Sequence, residues 1–485
     1  MSTINRALRV CVLTALIGLM LPTFVDAQWW RWWRPKKRVV VSDAQSLPLL
    51  QNADIEYLGA FRVPRTNNPT SNPNANFSGG TAYAAGGHYL AYNPASGTLY
   101  VSGWNSGPVA EITIPTPSLD PDFADLPIAS FTAQEFHDIS QGNIAASTAI
   151  NPAVQYTLTG LSIMDGKLFG SMTSLYGDDD LHTFSIFTHS LTLATSSFAG
   201  SKVKGSGAGG YPTGTSWNSG HMTAIPTVWQ PLLGGTMLSG QCCVSIASRT
   251  SIGPAAWAYN SADIGVTANI NTAVPLVFYN DVHPTLGEWE DQNDTWGAVS
   301  FIRGMTIVTG TRTLLYWGRN ATGDYCYGII GPYTGADPGH VSDYYLKYAP
   351  TSVSGLHVLE GDLDDGLPGI SNVGSARCYD PAPKSKGQSA WPYTFQFWAY
   401  DLNDLAKVKA GTTNPGTGQP WQPWDVVPYG VWLHTSDFAL PVIDASGGLA
   451  YDAVNQKIYV AQLDVVSVVI AQEPVIHVYK LNNIP

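Results

Sequence analysis

A hairpin pattern occurs near both ends of the chain. Residues 87–102 and 448–461 both contain Leu-Ala-Tyr followed by Asn or Asp, a short polar turn, and then Leu or Ile followed by Tyr-Val and a small residue. Apolar and aromatic runs on both sides of a polar turn are typical of a β-hairpin. A further strand-like segment follows each copy, at residues 109–114 and 475–479. The sequence therefore predicts a repeated antiparallel unit of three or four strands.

Three weaker copies of this unit lie between the two clear ones. Their turns are at Asp165-Gly166, near Gly234-Gly235 and around Thr309-Gly310, and their third strands are at residues 183–189, 255–259 and 395–400. Small antiparallel sheets repeated around an axis are the pattern of a β-propeller, in which each sheet buries its faces against its neighbours. The predicted fold is all-β: a single β-propeller with five blades, within a range of five to seven, and long inter-blade loops.

The two ends of the domain are predicted to meet. Residues 55–63 form a strand-like segment without a hairpin of its own, and the last strand ends at Leu481. Pairing of these segments in one shared blade would close the ring and leave no open edge. The alternative is a β-sandwich accompanied by a second domain.

The composition agrees with many short strands. Charged residues make up 12% of the chain, about half the usual ~25%, whereas apolar residues make up 44% and aromatic residues 11%. The chain also has 48 Gly and 33 Pro. Few charges, many turn residues and many aromatic residues argue against a helical protein, and the apolar content excludes a wholly disordered one.

Several longer motifs carry a resemblance to a known group of proteins. They are residues 57–64, the hairpin motif at residues 90–94, residues 311–319 with 326–328, residues 397–401 and residues 448–452. On these motifs the chain resembles secreted bacterial β-propeller proteins whose function is generally unassigned. The resemblance covers about residues 50–485 and implies a fold and a compartment. It supplies no catalytic residues.

The first 27 residues are predicted to be a signal peptide. Arg6 and Arg9 precede an apolar run, and Val25 and Ala27 are small residues that suit cleavage after position 27. The run is interrupted by Pro22 and is shorter than the ~20 residues that a membrane-spanning helix needs. A retained membrane anchor is the alternative. We therefore expect a secreted protein, located outside the cell, at its surface or in the periplasm.

Residues 28–50 form a basic, Trp-rich leader before the propeller domain of residues 51–485. Residues 28–38 contain four Trp and five basic residues, a combination that favours peripheral contact with a membrane or an anionic polymer. A leader without structure is the alternative. The whole chain has 24 basic and 36 acidic residues, a net charge of −12, which argues against nucleic-acid binding.

Candidate site residues stand where the predicted inner strands begin, because these positions surround the axis of a propeller. The densest polar stretch, residues 283–296, has four carboxylates and a histidine. Carboxylate pairs act as acid and base on glycosidic bonds, and Trp faces stack on sugars. An acidic solvated loop or a calcium site is the alternative. The predicted catalytic residues are His221, Glu290 and Asp294. The predicted substrate-binding residues are His88, Trp289, Trp296 and Arg303.

A second acidic loop predicts a cation site. Residues 360–366 alternate carboxylates with other residues and end on Gly, although the rest of an EF-hand is missing. Asp362, Asp364 and Asp365 are therefore predicted as calcium ligands, with a solvated turn as the alternative. No organic cofactor is expected, because the sequence has neither a phosphate-binding glycine loop nor a haem motif.

The cysteines left after removal of the signal peptide predict disulfide bonds. They are Cys242, Cys243, Cys326 and Cys378, an even number in an exported protein. Cys326 and Cys378 bracket one long insertion, and we expect them to bond. Cys242 and Cys243 either bond each other or reach distant partners. A zinc site is not expected, because no CxxC pair occurs.

These features favour a protein that acts on or binds extracellular polysaccharide or another glycan. In a glycoside hydrolase the acidic stretch would supply acid and base. In a polysaccharide lyase His221 or His88 would remove a proton while an Arg neutralised the uronate. The alternative is a non-catalytic binding or structural module of the cell surface or matrix. An enzyme predicts a deep pocket where carboxylate, His and Arg converge, whereas a binding module predicts shallow aromatic sites.

Overall fold

The fold is seen in a computed structural model, which describes residues 44–64, 89–103, 108–150, 152, 154, 156–174, 182–242, 249–280, 282–283, 287–288, 295–297, 299–322, 326–331, 377–379, 386–390, 393–437, 446–463 and 474–485.

Strands dominate the structure, with 43% strand and 15% helix. The all-β prediction is therefore confirmed at this level. The strands are β1 (Ile55–Arg62), β2 (Leu90–Asn93), β3 (Thr98–Ser102), β4 (Pro108–Ile112), β5 (His137–Asp138), β6 (Tyr156–Met164), β7 (Lys167–Ser174), β8 (Ile186–Ser190), β9 (Ala199–Gly205), β10 (Met222–Ala224), β11 (Met237–Ser239), β12 (Ala256–Tyr259), β13 (Asn269–Val277), β14 (Val282–His283), β15 (Gly287–Glu288), β16 (Phe301–Ile307), β17 (Thr313–Ala321), β18 (Cys326–Gly331), β19 (Arg377–Tyr379), β20 (Lys386–Ser389), β21 (Tyr393–Asp401), β22 (Gly430–Leu433), β23 (Ser446–Asp452), β24 (Lys457–Gln462) and β25 (Val475–Leu481).

Helices are short and lie in the connections. The α-helices of the described part are α1 (Asn143–Ile150), α2 (Gln230–Leu233) and α3 (Leu402–Ala410). Single 3₁₀ turns occur at Ala44–Ser46, Asn52–Asp54, Phe123–Asp125, Ala208–Gly210, Thr215–Trp217, Ser261–Asp263, Pro423–Asp425 and Thr435–Asp437. None of the helices in the described residues is long and apolar enough to cross a membrane.

Most strands belong to five antiparallel units of four strands. Unit 1 is β2–β5, unit 2 is β6–β9, unit 3 is β10–β13, unit 4 is β16, β17, β21 and β22, and unit 5 is β23, β24, β25 and β1. Each unit begins with one of the five predicted strand pairs, so these pairs are confirmed. The pair in unit 3 differs from a tight hairpin, because α2 lies between its two strands.

The first strand of the domain pairs with the last. β1 runs antiparallel to β25, with Ile55 opposite Leu481 and Arg62 opposite Val475. A register shift lies between Tyr57 and Gly59. The predicted pairing of the two ends is confirmed, and it completes unit 5 with a strand from the opposite end of the domain.

Units 2 and 3 join into one eight-stranded sheet. The junction is the parallel pair β9 and β13, where Lys202 lies opposite Asn269. The strands at the two ends of this sheet, β6 and β10, also contact each other. The sheet is therefore nearly closed and barrel-like.

The first strands of the five units contact one another in a closed cycle. β2 contacts β6, β6 contacts β10, β10 contacts β16, β16 contacts β23, and β23 contacts β2. We refer to these five as the inner strands. The inner strands therefore form a closed ring of contacts, and we call the line through the centre of this ring the axis.

The core lies between neighbouring units. Among the described residues, five apolar clusters each combine side chains of two units, and together they cover all the junctions of the cycle. The junction of units 3 and 4, for example, buries Trp229, Trp296 and Trp398 completely or nearly so. Burial of such large aromatic side chains holds the units together side by side.

Candidate functional site

A narrow space lies on the axis near the beginning of the inner strands. Its lining includes Tyr89, Gly160, His221, Arg303 and Leu449, one residue from each unit, and its volume is about 10 Å³. We call this the axial constriction. Such a volume holds about one water molecule. Sequence reasoning placed His221 near the axis and predicted Arg303 as a substrate-binding residue, and the structure brings both of them to this space.

Arg303 crosses the axial constriction to unit 1. Its Nη1 donates a hydrogen bond to the Tyr89 hydroxyl at 3.2 Å, and its Cζ lies 4.8 Å from the centroid of the Phe301 ring. Burial raises the pKa of Tyr89, and the nearby Arg303 opposes this shift. The guanidinium is therefore held by a phenol and an aromatic face. In this position it forms part of the lining of the axial constriction.

His221 is a buried, neutral side chain. It is 3% exposed, and burial lowers its pKa to about 4 even though the carbonyls of Ala255 and Ile302 lie nearby. Neither ring nitrogen makes a hydrogen bond of regular geometry, and the ring meets Tyr316 edge-on with 5.6 Å between centroids. A general base works best with a pKa near the operating pH. This environment therefore suits packing better than proton transfer at neutral pH.

A larger space opens further along the same axis. It has a volume of about 560 Å³, and residues of all five inner strands line it. We call it the axial cavity. Its described lining combines Thr, Ser and Met side chains with the phenols of Tyr92 and Tyr451. Asp165 is the one charged residue among these lining residues. The cavity thus offers hydroxyl groups and apolar surface, with little charge.

Asp165 is positioned by local turn chemistry. It has φ 51° and the following Gly166 has φ 71°, the left-handed pair that a two-residue hairpin turn requires. The turn joins β6 to β7 and exposes the carboxylate at the margin of the axial cavity.

A second cleft lies away from the axis. Its volume is about 380 Å³, and we call it the aromatic cleft after Tyr211, Trp217, Phe278 and Trp424 in its lining. Phe278 and Trp217 are buried, whereas Tyr211 and Trp424 are partly exposed. The Tyr211 and Trp424 rings are 6.1 Å apart between centroids at an angle of 77°. These side chains come from three distant segments of the chain, so sequence reasoning missed the cleft. The clustering of glycines around Tyr211 and the spacing of Trp421 and Trp424 were the available signals.

Trp296 corrects one prediction. It was expected to bind substrate, but it is 1% exposed and packs on Tyr279, with 4.5 Å between ring centroids. Its face is covered by the core between units 3 and 4, so it does not offer a stacking surface to a sugar. The other predicted residues of this stretch, Trp289, Glu290 and Asp294, lie outside the described residues, as does His88.

The cation prediction stays a prediction. Asp362, Asp364 and Asp365 lie outside the described residues, and the part of the chain that is described contains no group of three or more metal-binding side chains.

The register of β18 places Cys326 opposite Ser389 and Ile330 opposite Cys378. In this register Cys378 lies beside a residue four positions away from Cys326, whereas disulfides join residues whose Cα atoms are about 4.4–6.8 Å apart. The described strands therefore do not bring Cys326 and Cys378 together as predicted.

One buried carboxylate in unit 1 is fully engaged in the fold. Glu111 is 5% exposed and accepts hydrogen bonds from side chains of Thr98, Gln134 (2.6 Å) and Thr132 (3.0 Å). Burial raises its pKa, but these hydrogen bonds outweigh burial and the pKa lies below its usual value. Its oxygens are directed at donors of the same unit, which indicates a structural role.

Comparison with known proteins adds no assignment. No protein-family model matches the chain, and no curated protein sequence matches it.

Proposed function

We propose that this chain is an exported five-bladed β-propeller that binds extracellular polysaccharide without cleaving it. On this proposal each of units 1–5 is one blade, with its first strand innermost. The closed cycle of contacts among the inner strands supports five blades, and so do the five apolar clusters at the junctions. The pairing of β1 with β25 supports a ring that is closed by strands from both ends.

The observation that carries binding rather than cleavage is the chemistry of the axial cavity. Glycoside hydrolysis normally uses two carboxyl groups about 5–9.5 Å apart. Asp165 alone supplies a carboxylate to the described lining, and buried His221 has a pKa of about 4. The Thr and Ser hydroxyls and the phenols of Tyr92 and Tyr451 suit hydrogen bonding and packing with an uncharged, hydroxyl-rich ligand.

A panel of oligosaccharides tests this function. Binding would be measured by calorimetry and cleavage by the appearance of new reducing ends. Thr223→Tyr places a ring in the axial cavity, so we expect it to lower affinity at least tenfold. The matched control is Thr192→Tyr, because Thr192 is exposed outside the cavity. Melting of both variants would confirm that they fold.

Two results would contradict the proposal. The first is the absence of binding to every glycan of a broad neutral and acidic panel. The second is cleavage of a glycan that is lost in Glu290→Gln or Asp294→Asn while melting is unchanged, because this result would identify an enzyme that uses the acidic stretch.

A further inference from the structure

We infer that the aromatic cleft is a second glycan site, which takes one uncharged sugar ring against Tyr211 and Trp424. The described lining residues of the cleft are all different from those of the axial cavity. The inference rests on the proposed function for the class of ligand. It goes beyond that function by assigning a separate site with its own residues.

The floor of the cleft is rigid. Phe278 is fully buried and stacks on Trp257, with 5.6 Å between centroids and 10° between planes. Trp217 meets Phe278 nearly edge-on at 5.5 Å. Packed aromatic rings have few alternative rotamers, so little conformational entropy is lost when a ligand rests on them.

The walls of the cleft form a corner. Trp424 meets Phe278 at 5.6 Å and 70°, and Tyr211 meets Phe278 at 5.9 Å and 81°. The Tyr211 hydroxyl donates to Oε1 of Gln422 at 2.5 Å, which fixes the ring. Because both wall residues are partly exposed, their aromatic surface is accessible to a flat ligand with an apolar face.

Polar groups beside the aromatic rings match the hydroxyls of a sugar. Asn280 and Thr213 line the same cleft, and Asn280 is partly exposed whereas Thr213 is exposed. An amide offers both donors and an acceptor, and a hydroxyl offers one donor and acceptor lone pairs. A pyranose has an apolar C–H face and a rim of hydroxyls, so aromatic faces next to such groups recognise both of its surfaces.

The charge around the cleft favours an uncharged sugar over a uronate. Among the described residues, the lining has no charged side chain. The carboxylate of Asp425 lies close enough to Tyr211 to raise its pKa, in addition to the larger effect of burial. A sugar carboxylate would therefore meet a negative field and no cation.

The test combines calorimetry with Trp fluorescence on the full chain. The probes are cellohexaose, xylohexaose, maltohexaose and chitohexaose, with an oligogalacturonate as the charged comparison. Trp424→Ala and Tyr211→Ala should each lower affinity for the bound neutral oligosaccharide at least tenfold, and Trp424→Phe less. Asn280→Ala should weaken binding with melting unchanged, which keeps the test valid if an aromatic variant fails to fold.

The matched control is Trp421→Ala. Trp421 is partly buried, lies outside the cleft and packs under the Lys407 ammonium, with 4.8 Å between Nζ and the ring centroid.

The outcomes separate this site from the proposed function. Binding that Thr223→Tyr removes and that Trp424→Ala and Asn280→Ala leave intact would overturn the cleft site while the axial site stands. Loss in Trp424→Ala and Asn280→Ala but not in Thr223→Tyr would support the cleft and remove the axial site. Binding of a proline-rich peptide in place of every sugar would overturn the cleft site as assigned, because such peptides also dock on aromatic grooves.

Discussion

The hydroxyl of Tyr57 lies 2.9 Å from Nδ1 of His477, a residue 420 positions further along the chain. Nε2 of the same histidine lies 2.9 Å from Oε1 of Gln462. The amide oxygen accepts a hydrogen bond, so the Nε2 proton points to Gln462 and Nδ1 accepts the proton of the Tyr57 hydroxyl. This chain of hydrogen bonds crosses β1, β25 and β24 and ties the two ends of the domain together inside unit 5.

Removal of the Tyr57 hydroxyl should weaken this closure. Tyr57→Phe leaves Nδ1 of the buried His477 without its donor, so we expect a loss of about 1–3 kcal/mol in the free energy of unfolding. Urea denaturation measures this loss. The matched control is Tyr451→Phe, whose partly buried hydroxyl donates to the side chain of Gln456, 5 residues further along the same unit. Equal losses in the two variants would show that the contact between Tyr57 and His477 contributes no more to the free energy of unfolding than the hydrogen bond of Tyr451.

The stability of the protein should fall in mild acid because of buried histidines. Burial lowers the pKa of His477 to about 3, despite the opposing effect of Asp437, and that of His221 to about 4. In the unfolded chain a histidine binds a proton near pH 6.5, so stability is complete above this pH and decreases towards the folded pKa. The decrease is about 1.4 kcal/mol per pH unit for each histidine. Urea titrations between pH 7 and 4.5 should show a shallower slope in His477→Gln. Tyr57→Phe keeps the histidine and should keep the slope, and identical profiles in wild type and His477→Gln would refute the account.

Loss of the charge on Glu111 should destabilise unit 1. Glu111→Gln replaces one acceptor oxygen with an NH2 donor that faces other donors, among them Nε2 of Gln134, which lies 2.6 Å from the carboxylate in the wild type. Hydrogen bonds to a charged group are worth about 1.5–3 kcal/mol each, and we expect a total loss of about 2–3 kcal/mol. Glu56→Gln, at an exposed carboxylate that accepts from Asn482 at 2.8 Å, should cost less than about 0.5 kcal/mol. Similar melting temperatures for the two variants would contradict the structural role.

Gly160 should resist substitution because the inner strand β6 and the segment before β10 approach closely there. A Cβ at Gly160 would lie 2.1 Å from the carbonyl oxygen of Gly220, which is backbone and cannot move aside. We expect Gly160→Ala to cost more than about 2 kcal/mol or to prevent folding. Gly416→Ala is the control, since its Cβ would meet nothing closer than a side-chain oxygen of Asn414 at 3.3 Å. A thermal shift of the same size in both variants would argue against close contact of β6 with the segment before β10.

The charge of Asp165 should be dispensable for binding an uncharged glycan. Asp165→Asn retains the turn, because Asn also tolerates a positive φ. We expect affinity for the neutral oligosaccharide to change less than twofold in calorimetry. Two results would show that the axial cavity recognises charge. One is a tenfold loss of affinity in Asp165→Asn, and the other is a cationic ligand that binds to the wild type but not to this variant.

Local patterns account for the part of the fold that could be predicted. The turns at Asp165-Gly166 and around Thr309-Gly310 lie where the sequence placed them, because turn residues act over a few positions and do not depend on distant contacts. The match between the first and last hairpins also made it possible to predict that β1 pairs with β25. The turn near Gly234-Gly235 was less accurate, since α2 occupies this connection and Gly234 ends it in a left-handed conformation with φ 84°.

The sequence by itself therefore determined the strand units, their order and the meeting of the two ends. Tertiary structure alone decided which side chains line the cavities. Trp296 sits at a position that looked exposed to the axis, yet packing against Tyr279 buries it, and Trp424 reaches Tyr211 across more than two hundred residues. The reason is physical: hairpins follow from neighbouring residues, whereas a cleft depends on how whole units pack, and a shift of one residue turns every side chain of a strand to the other face.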